Sequence, residues 1–226
     1  MAKKNSEEQE ELLTASTEET AKPSLEDKIN QNKTIVSIVV GVIAVAVLGY
    51  FGYQQFIIQP KEQQAQEEIF YAQKAFEDGD YELALSGNEV QSGFLDIVSN
   101  FSGTPSANLS NYYIGVSYLH QGDYKLAIEH LKKFSTDSKI FTALKNGALG
   151  DAQTELNNYE EAAKYFERAA KVDNDFTAPV FLRKAGLAYE AAGNKEKALK
   201  AFEKVKKEYP QSNEAQSIDA LIGRIN

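Results

Sequence analysis

Three glycines set the frame for this chain. Gly115, Gly150 and Gly186 recur at intervals of 35 and 36 residues, and Ala127, Ala162 and Ala198 keep the same two intervals. A bulky apolar residue follows each alanine in register, as Leu131, Phe166 and Phe202. Gly122, Asn157 and Gly193 fall between the small residues, and Tyr124 and Tyr159 share the first interval. A period in this range marks an array of stacked supersecondary units, not one closed core. Each unit reads as two helices and a tight turn. Gly115 and Ala127 let the helices approach, Tyr118 and Leu131 fill the space around them, and Gly122 or Gly193 ends the first helix. One such hairpin cannot bury its own apolar face, so neighbours must stack.

The pattern resembles the tetratricopeptide (TPR) repeat, a helix–turn–helix unit of about 34 residues. The last three units match it well. Upstream, Gly79-Asp80-Tyr81-Glu82-Leu83-Ala84 echoes Gly122-Asp123-Tyr124-Lys125-Leu126-Ala127 at a spacing of 43. The first unit, from about Ala65, is therefore degraded. Gly87, Gly93, Gly103 and Pro105 predict a second helix that is extended or broken, then a loop ending near Pro105. Pro210 marks the end of the last second helix. In the segment 213–225, Ile218, Leu221, Ile222 and Ile225 share one face, as a terminal capping helix requires. The expected fold is all-α: one N-terminal transmembrane helix, then an α-solenoid of about four hairpins with a C-terminal cap.

The transmembrane helix is expected over 34–58. Thr34 to Ile58 carries no charged residue, and Lys33 and Lys61 bracket it. A span needs about 20 mainly apolar residues. Tyr50, Phe51, Tyr53 and Phe56 cluster at its C-terminal end like an interfacial belt. Ala44-Val45-Ala46 has the form a signal peptidase reads, but it lies inside the apolar run behind a long acidic segment, which favours an uncleaved anchor. Lys22, Lys28 and Lys33 before the span, against Lys61 and Lys74 after it, orient the N-terminus inside. Residues 1–33 hold five lysines against eight carboxylates and few apolar residues. They read as a disordered acidic cytoplasmic tail, with a nascent helix around Glu7 to Leu13 and a docking role as the alternative. Residues 59–226 form the repeat domain.

Composition narrows the chemistry. Of 226 residues none is Cys or Trp and two are His, and the net charge is -9. An acidic chain lacks the basic stripe on which nucleic-acid affinity rests, so no nucleic-acid partner is expected. Without cysteine there is neither a disulfide framework nor a thiolate site. His120 and His130 fall on different helices, so no metal site is expected, and His120 reads as a surface or groove residue. Asp173-Asn174-Asp175 opens like a calcium loop but has Ala178 and Lys184 where Gly and Glu are needed. No phosphate-binding loop occurs. Asn100-Phe101-Ser102 and Asn108-Leu109-Ser110 are glycosylation sequons only in form. The chain is read as a non-enzyme without cofactors.

A TPR array presents its first helices on the concave side. In this register the candidate partner-binding residues are Leu109, Tyr112, Val116 and Leu119, then Asp151, then Arg183, Leu187 and Glu190, with Leu144, Gly147, Thr154 and Val180 beside them. The groove is apolar and aromatic at one end and charged at the other, which suits an extended or helical peptide. Core packing competes with groove exposure at each position. The carboxylate clamp of some TPR proteins uses Lys and Asn at positions that here hold Tyr112, Val116, Gly147 and Asp151, so the resemblance stops short of that clamp.

A polar tail, one span and a TPR domain, with Asn111-Tyr112-Tyr113-Ile114-Gly115 and Gly122-Asp123-Tyr124 in the wording of versions from Bacteroidota, resemble the YfgM-like family. These are membrane-anchored ancillary proteins of the bacterial Sec translocon. The resemblance implies a periplasmic repeat domain on the inner membrane. It also implies contact with translocon subunits, a membrane-anchored periplasmic chaperone and emerging secretory proteins. The alternative is a scaffold that assembles a cell-envelope complex without translocon contact.

Overall fold

The computed structural model describes residues 32–172 and 175–225. The readings made for residues 1–31 and for Asp173-Asn174 lie outside these. The chain divides into two compact units between Phe56 and Ile57.

The described part of the first unit is dominated by α1, Lys33–Tyr53. None of its residues is buried, and side chains as apolar as Leu48 and Val45 are more than 70% exposed. Its 21 residues rise by about 30 Å, the thickness of a bilayer's hydrocarbon core. It is long and apolar enough to cross a membrane. A π-helical stretch, Gln54–Ile58, follows it. Ile58, the last residue of the apolar run, is buried within the second unit.

The second unit is an array of helical hairpins, with no strand among its described residues. Its first repeat departs most from the pattern. Helix α2, Gln59–Glu77, pairs with a six-residue helix, α3, Tyr81–Ser86. Asp80 caps α3 by accepting the Leu83 amide at 3.1 Å. The chain then turns out through Gly87 and back through Gly93 into α4, Phe94–Asn100. Gly87 sits at φ 65°, ψ −157°, a region open essentially to glycine alone. A Cβ on Gly93 would run into the Leu85 carbonyl and the Gly87 amide. The second helix is thus broken, and α4 returns Phe94 and Ile97 to the core formed with Ala65, Ile69 and Ala72.

Three regular hairpins follow. They are α5 (Pro105–Gln121) with α6 (Tyr124–Lys133), α7 (Lys139–Glu155) with α8 (Tyr159–Ala170), and α9 (Ala178–Ala191) with α10 (Lys195–Glu208). Pro105 is the first residue of α5, where a missing N–H costs nothing. Glu62 of α2 accepts the Ser106 amide at 2.9 Å and the Ser106 hydroxyl at 2.8 Å. That carboxylate faces the positive end of α5 and ties the first repeat to the second.

Within each hairpin the small and bulky residues meet as the period requires. Gly115 faces Leu131, Gly150 faces Phe166 and Gly186 faces Phe202, each so closely that a Cβ would collide with the partner. Ala127, Ala162 and Ala198 are fully buried. Gly122, Asn157 and Gly193 close the turns with positive φ. Between hairpins the contacts are individual. Gly147 of α7 receives the ring of Phe181 from α9, and no such pair joins α5 to α7. In that earlier junction Tyr112 lies 5.4 Å from Phe134 and 5.5 Å from Phe141, between ring centroids.

Helix α11, Ala215–Ile225, closes the array. Ile218 and Ile225 are buried, with Leu221 and Ile222 packed on the same core. Arg224 grips the Glu190 carboxylate of α9 with two hydrogen bonds, and Lys195 donates to the Ile225 carbonyl at 3.3 Å.

Candidate functional site

The first-helix face was the expected binding surface, and its residues fall into separate groups. On α5, Val116 and Leu119 are half-buried against a core of Leu131, Ala148, Leu149 and Tyr165, and Leu109 is also half-buried. Tyr112 stands among Tyr113, Phe134 and Phe141. Burial first, and then the nearby Tyr113, pushes its phenol up from the usual tyrosine range. Tyr112, Val116 and Leu119 therefore spend much of their surface holding the second repeat to the third.

Asp151 and Leu187 come together in a hollow of 230 Å3 between α7 and α9. Thr154 and Ala191 form its rim, and Tyr159 and Phe166 of α8 line it. Lys184 closes one side, donating to both Asp151 oxygens at 2.8 and 2.9 Å. Its ammonium also lies 5.5 Å from the Phe166 ring centroid. The pair is more than a third exposed on each side, so it contributes well under ~1 kcal/mol to stability. Its role is to place one fixed charge pair at the mouth of an apolar hollow, which orients a polar ligand group.

Arg183 and Glu190 stand apart from this hollow. The Arg183 Nε is buried without a hydrogen-bond partner. Glu190 is held by Arg224, so α11 already satisfies the carboxylate. Leu144 is exposed, and Val180 borders a separate cavity with Phe176 and Tyr209. Gly147 is filled by Phe181 and offers no surface.

Sequence reasoning missed Lys184, Tyr159 and Phe166 as parts of the hollow. Asp151 and Lys184 lie 33 residues apart, close to one repeat. A search for opposite charges near the repeat spacing would have found them.

The other side chains singled out earlier have structural partners. His120 is exposed and stacks on Tyr81 at 4.3 Å and 5°. Asn111 Nδ2 donates to the Ala107 carbonyl at 3.0 Å, which leaves its Oδ1 to accept from His130 Nδ1 at 3.0 Å. Burial first, then Lys133, holds the His130 pKa below the ordinary histidine value. Asn108 is tied to Ser135 by hydrogen bonds of 2.8 and 2.9 Å. Among the described residues no cluster of three His, Cys, Asp or Glu could hold a metal.

One titration tests how the third and fourth repeats dock. Tyr189 of α9 is 2% exposed, and its phenol is pushed up to about 12, by burial first and then by Glu167 and Glu160. Between pH 10 and 12 the folded chain keeps a proton that an unfolded chain releases. Stability from this group is full below pH 10 and is lost as the pH rises through that window. In Glu167→Gln the phenolate absorbance should rise at lower pH than in wild type, yet still above pH 10. An unchanged titration would show that Glu167 does not face the phenol.

Comparisons with known proteins agree with the geometry. Two family models described as Tetratricopeptide repeat match residues 110–137 and 148–213. The TPR repeat-containing protein MJ1428 of Methanocaldococcus jannaschii is 33% identical over 123 residues, which is 54% of this chain and 21% of that protein. The chain thus spans about a fifth of the length of the curated relative it matches. Two crystal structures of MamA share the fold, with TM-scores of 0.54 and 0.56 at 23% and 22% identity. The matches cover 68% and 71% of this chain and 81% of each MamA chain. Residues 110–137 and 148–213 thus resemble tetratricopeptide repeats both in sequence and in their helical-hairpin geometry.

Proposed function

We propose that the chain is a membrane-anchored, non-enzymatic protein-interaction module. Helix α1 is the anchor, the N-terminal tail is cytoplasmic and the repeats lie in the periplasm. The observation that carries this reading is α1 itself: 21 residues with no buried side chain, an exposed apolar surface of the length that a bilayer covers. The repeats then supply the working surface, since tetratricopeptide arrays commonly hold peptide segments of other proteins. The hollow between α7 and α9, with its apolar lining and fixed Asp151–Lys184 pair, is the place for a partner side chain. Translocon subunits, a membrane-anchored chaperone or emerging secretory proteins are the partners that the resemblance supplies.

The test uses the intact chain in membranes. Protease added to spheroplasts should digest residues 59–226, and clipping confined to the first 33 residues would overturn the topology. For the surface, Tyr112→Ala is a poor probe, because that ring also packs on Phe134 and Phe141. Thr154→Arg with Ala191→Arg instead obstructs the hollow from its rim. Crosslinking followed by mass spectrometry should show translocon or chaperone partners with wild type and their loss with the double variant, at an unchanged melting temperature. Wild-type recovery from the obstructed chain would remove the hollow from the proposal. Envelope-assembly proteins in place of translocon subunits would replace the translocon role with a scaffold.

A further inference from the structure

Two grooves open between successive second helices, on surfaces that the hollow does not use. The first, of 330 Å3, runs between the end of α6 and α8, over α7. Lys132, Lys145 and Arg168 border it, and no carboxylate does. The second, of 480 Å3, lies between α8 and α10, over α9. Five lysines border it, at 164, 171, 197, 200 and 204, against the single carboxylate of Glu167. Thr136 and Lys171 are one repeat apart, as are Arg168 and Lys204. The two grooves are thus the same place in consecutive repeats. On a chain of net charge -9 they reverse the local sign.

Internal pairing uses only part of this charge. Lys164 approaches Glu160 and Glu161 at 4.0 and 3.6 Å, Lys197 shares Glu160 at 3.7 Å, and Lys204 meets Glu208 at 3.6 Å. Glu167 is engaged by the Tyr189 phenol. Lys132, Arg168, Lys171 and Lys200 have no carboxylate partner among the described residues. Arg168 is nonetheless held in place, its guanidinium 5.0 Å from the Tyr165 ring centroid. Lys145 is anchored by donating to the Phe134 carbonyl. The floor of the second groove is apolar, with Ala170, Leu182 and Ala201, while that of the first mixes Leu149 and Tyr165 with Thr136, Thr142 and Asn146.

We propose that this second-helix face binds an extended peptide segment in which carboxylates alternate with apolar side chains. Charge complementarity selects the carboxylates, which meet the unpaired cations on the groove walls. In an extended chain the apolar side chains point down to the floors. The carboxylates, which point the other way, are met by the long Lys and Arg side chains that reach up along the groove edges. A flat anionic surface would meet the lysines but leave those floors empty, which favours a peptide over a membrane. The site differs from the hollow in location and in ligand chemistry. It shares with the proposed function only the premise that the chain binds proteins.

The test uses the full chain in nanodiscs of phosphatidylcholine. The probe is a fluorescein-labelled peptide of alternating Glu and Leu, with a Gln–Leu peptide as control. Anisotropy should show binding of the acidic peptide, about ten-fold tighter than the control at low salt and weakened as salt rises. Arg168→Glu with Lys200→Glu should weaken it about ten-fold while melting stays at the wild-type temperature. The Thr154→Arg, Ala191→Arg chain should bind the peptide as wild type does, so loss of the hollow and loss of this face read out separately. Equal binding of the two peptides, or full binding by the charge-reversed chain, overturns the proposal. So does an acidic peptide that fails to bind while phosphatidylglycerol vesicles associate with the wild type and not with the charge-reversed chain, which would assign the face to lipid.

Discussion

Replacing Phe202 by Ala should destabilise the repeat unit by about 3–5 kcal/mol, the usual cost of emptying a fully buried aromatic site. Phe202 is 0% exposed and sits against Gly186, in one core with Phe166, Leu182, Val205 and Ile218. Gly186 cannot collapse into the space, because it has no side chain and its backbone is fixed in α9. The loss should concentrate in the last hairpin and α11, since repeats are coupled mainly to their nearest neighbours. Chemical denaturation gives the total. Hydrogen exchange gives its distribution, with amides of α9 to α11 losing protection before those of α2. A uniform loss along the chain would mean that the array unfolds as one cooperative body.

The second large effect is expected at Gly93. Adding one methyl in Gly93→Ala places a carbon against the Leu85 carbonyl and the Gly87 amide. Both neighbours are backbone, so no flexible side chain can move aside. We expect a cost of ~3 kcal/mol, the upper end for overpacking. The opening should be local. The single bridge between Gly87 and Ser92 would be lost, and α4 would undock with Phe94 and Ile97. Exchange protection should fall over 87–101 and persist in α7 to α10. A variant as stable as wild type would show that the α3–α4 crossing is wider than described.

These two residues mark where the sequence could and could not be read. Phe202 was legible because a hairpin has only one close approach, and that contact demands a small residue opposite a large one in every copy. Gly186 and Phe202 therefore announce each other across 16 residues, as do Gly150 with Phe166 and Gly115 with Leu131. Gly93 was visible only as a break. Its contact with Gly87 happens once, so no periodicity could reveal that two glycines meet there. The binding face was half legible for a related reason. Helical period places Asp151 and Leu187 on first helices, but how far each helix rotates against the next is set by Phe181 entering Gly147. That contact brings Asp151 to Lys184, while in the earlier junction, which has no such pair, Phe134 and Phe141 take Tyr112 into packing. Glu190 was read as a groove residue because nothing periodic predicts where Arg224 of the closing helix will land.

The Phe181–Gly147 junction also bears on how such a chain can change over evolutionary time. An array that arose by copying one hairpin starts with interchangeable parts. Here the position equivalent to Gly147 carries Tyr112 one repeat earlier and Arg183 one repeat later. A reordered copy would present a phenol or a guanidinium where the Phe181 ring must enter. Duplication or shuffling of single hairpins would therefore jam at the seams. Inserting or moving a hairpin thus needs compensating changes at the residues facing position 147, which a point substitution on an exposed helix face does not.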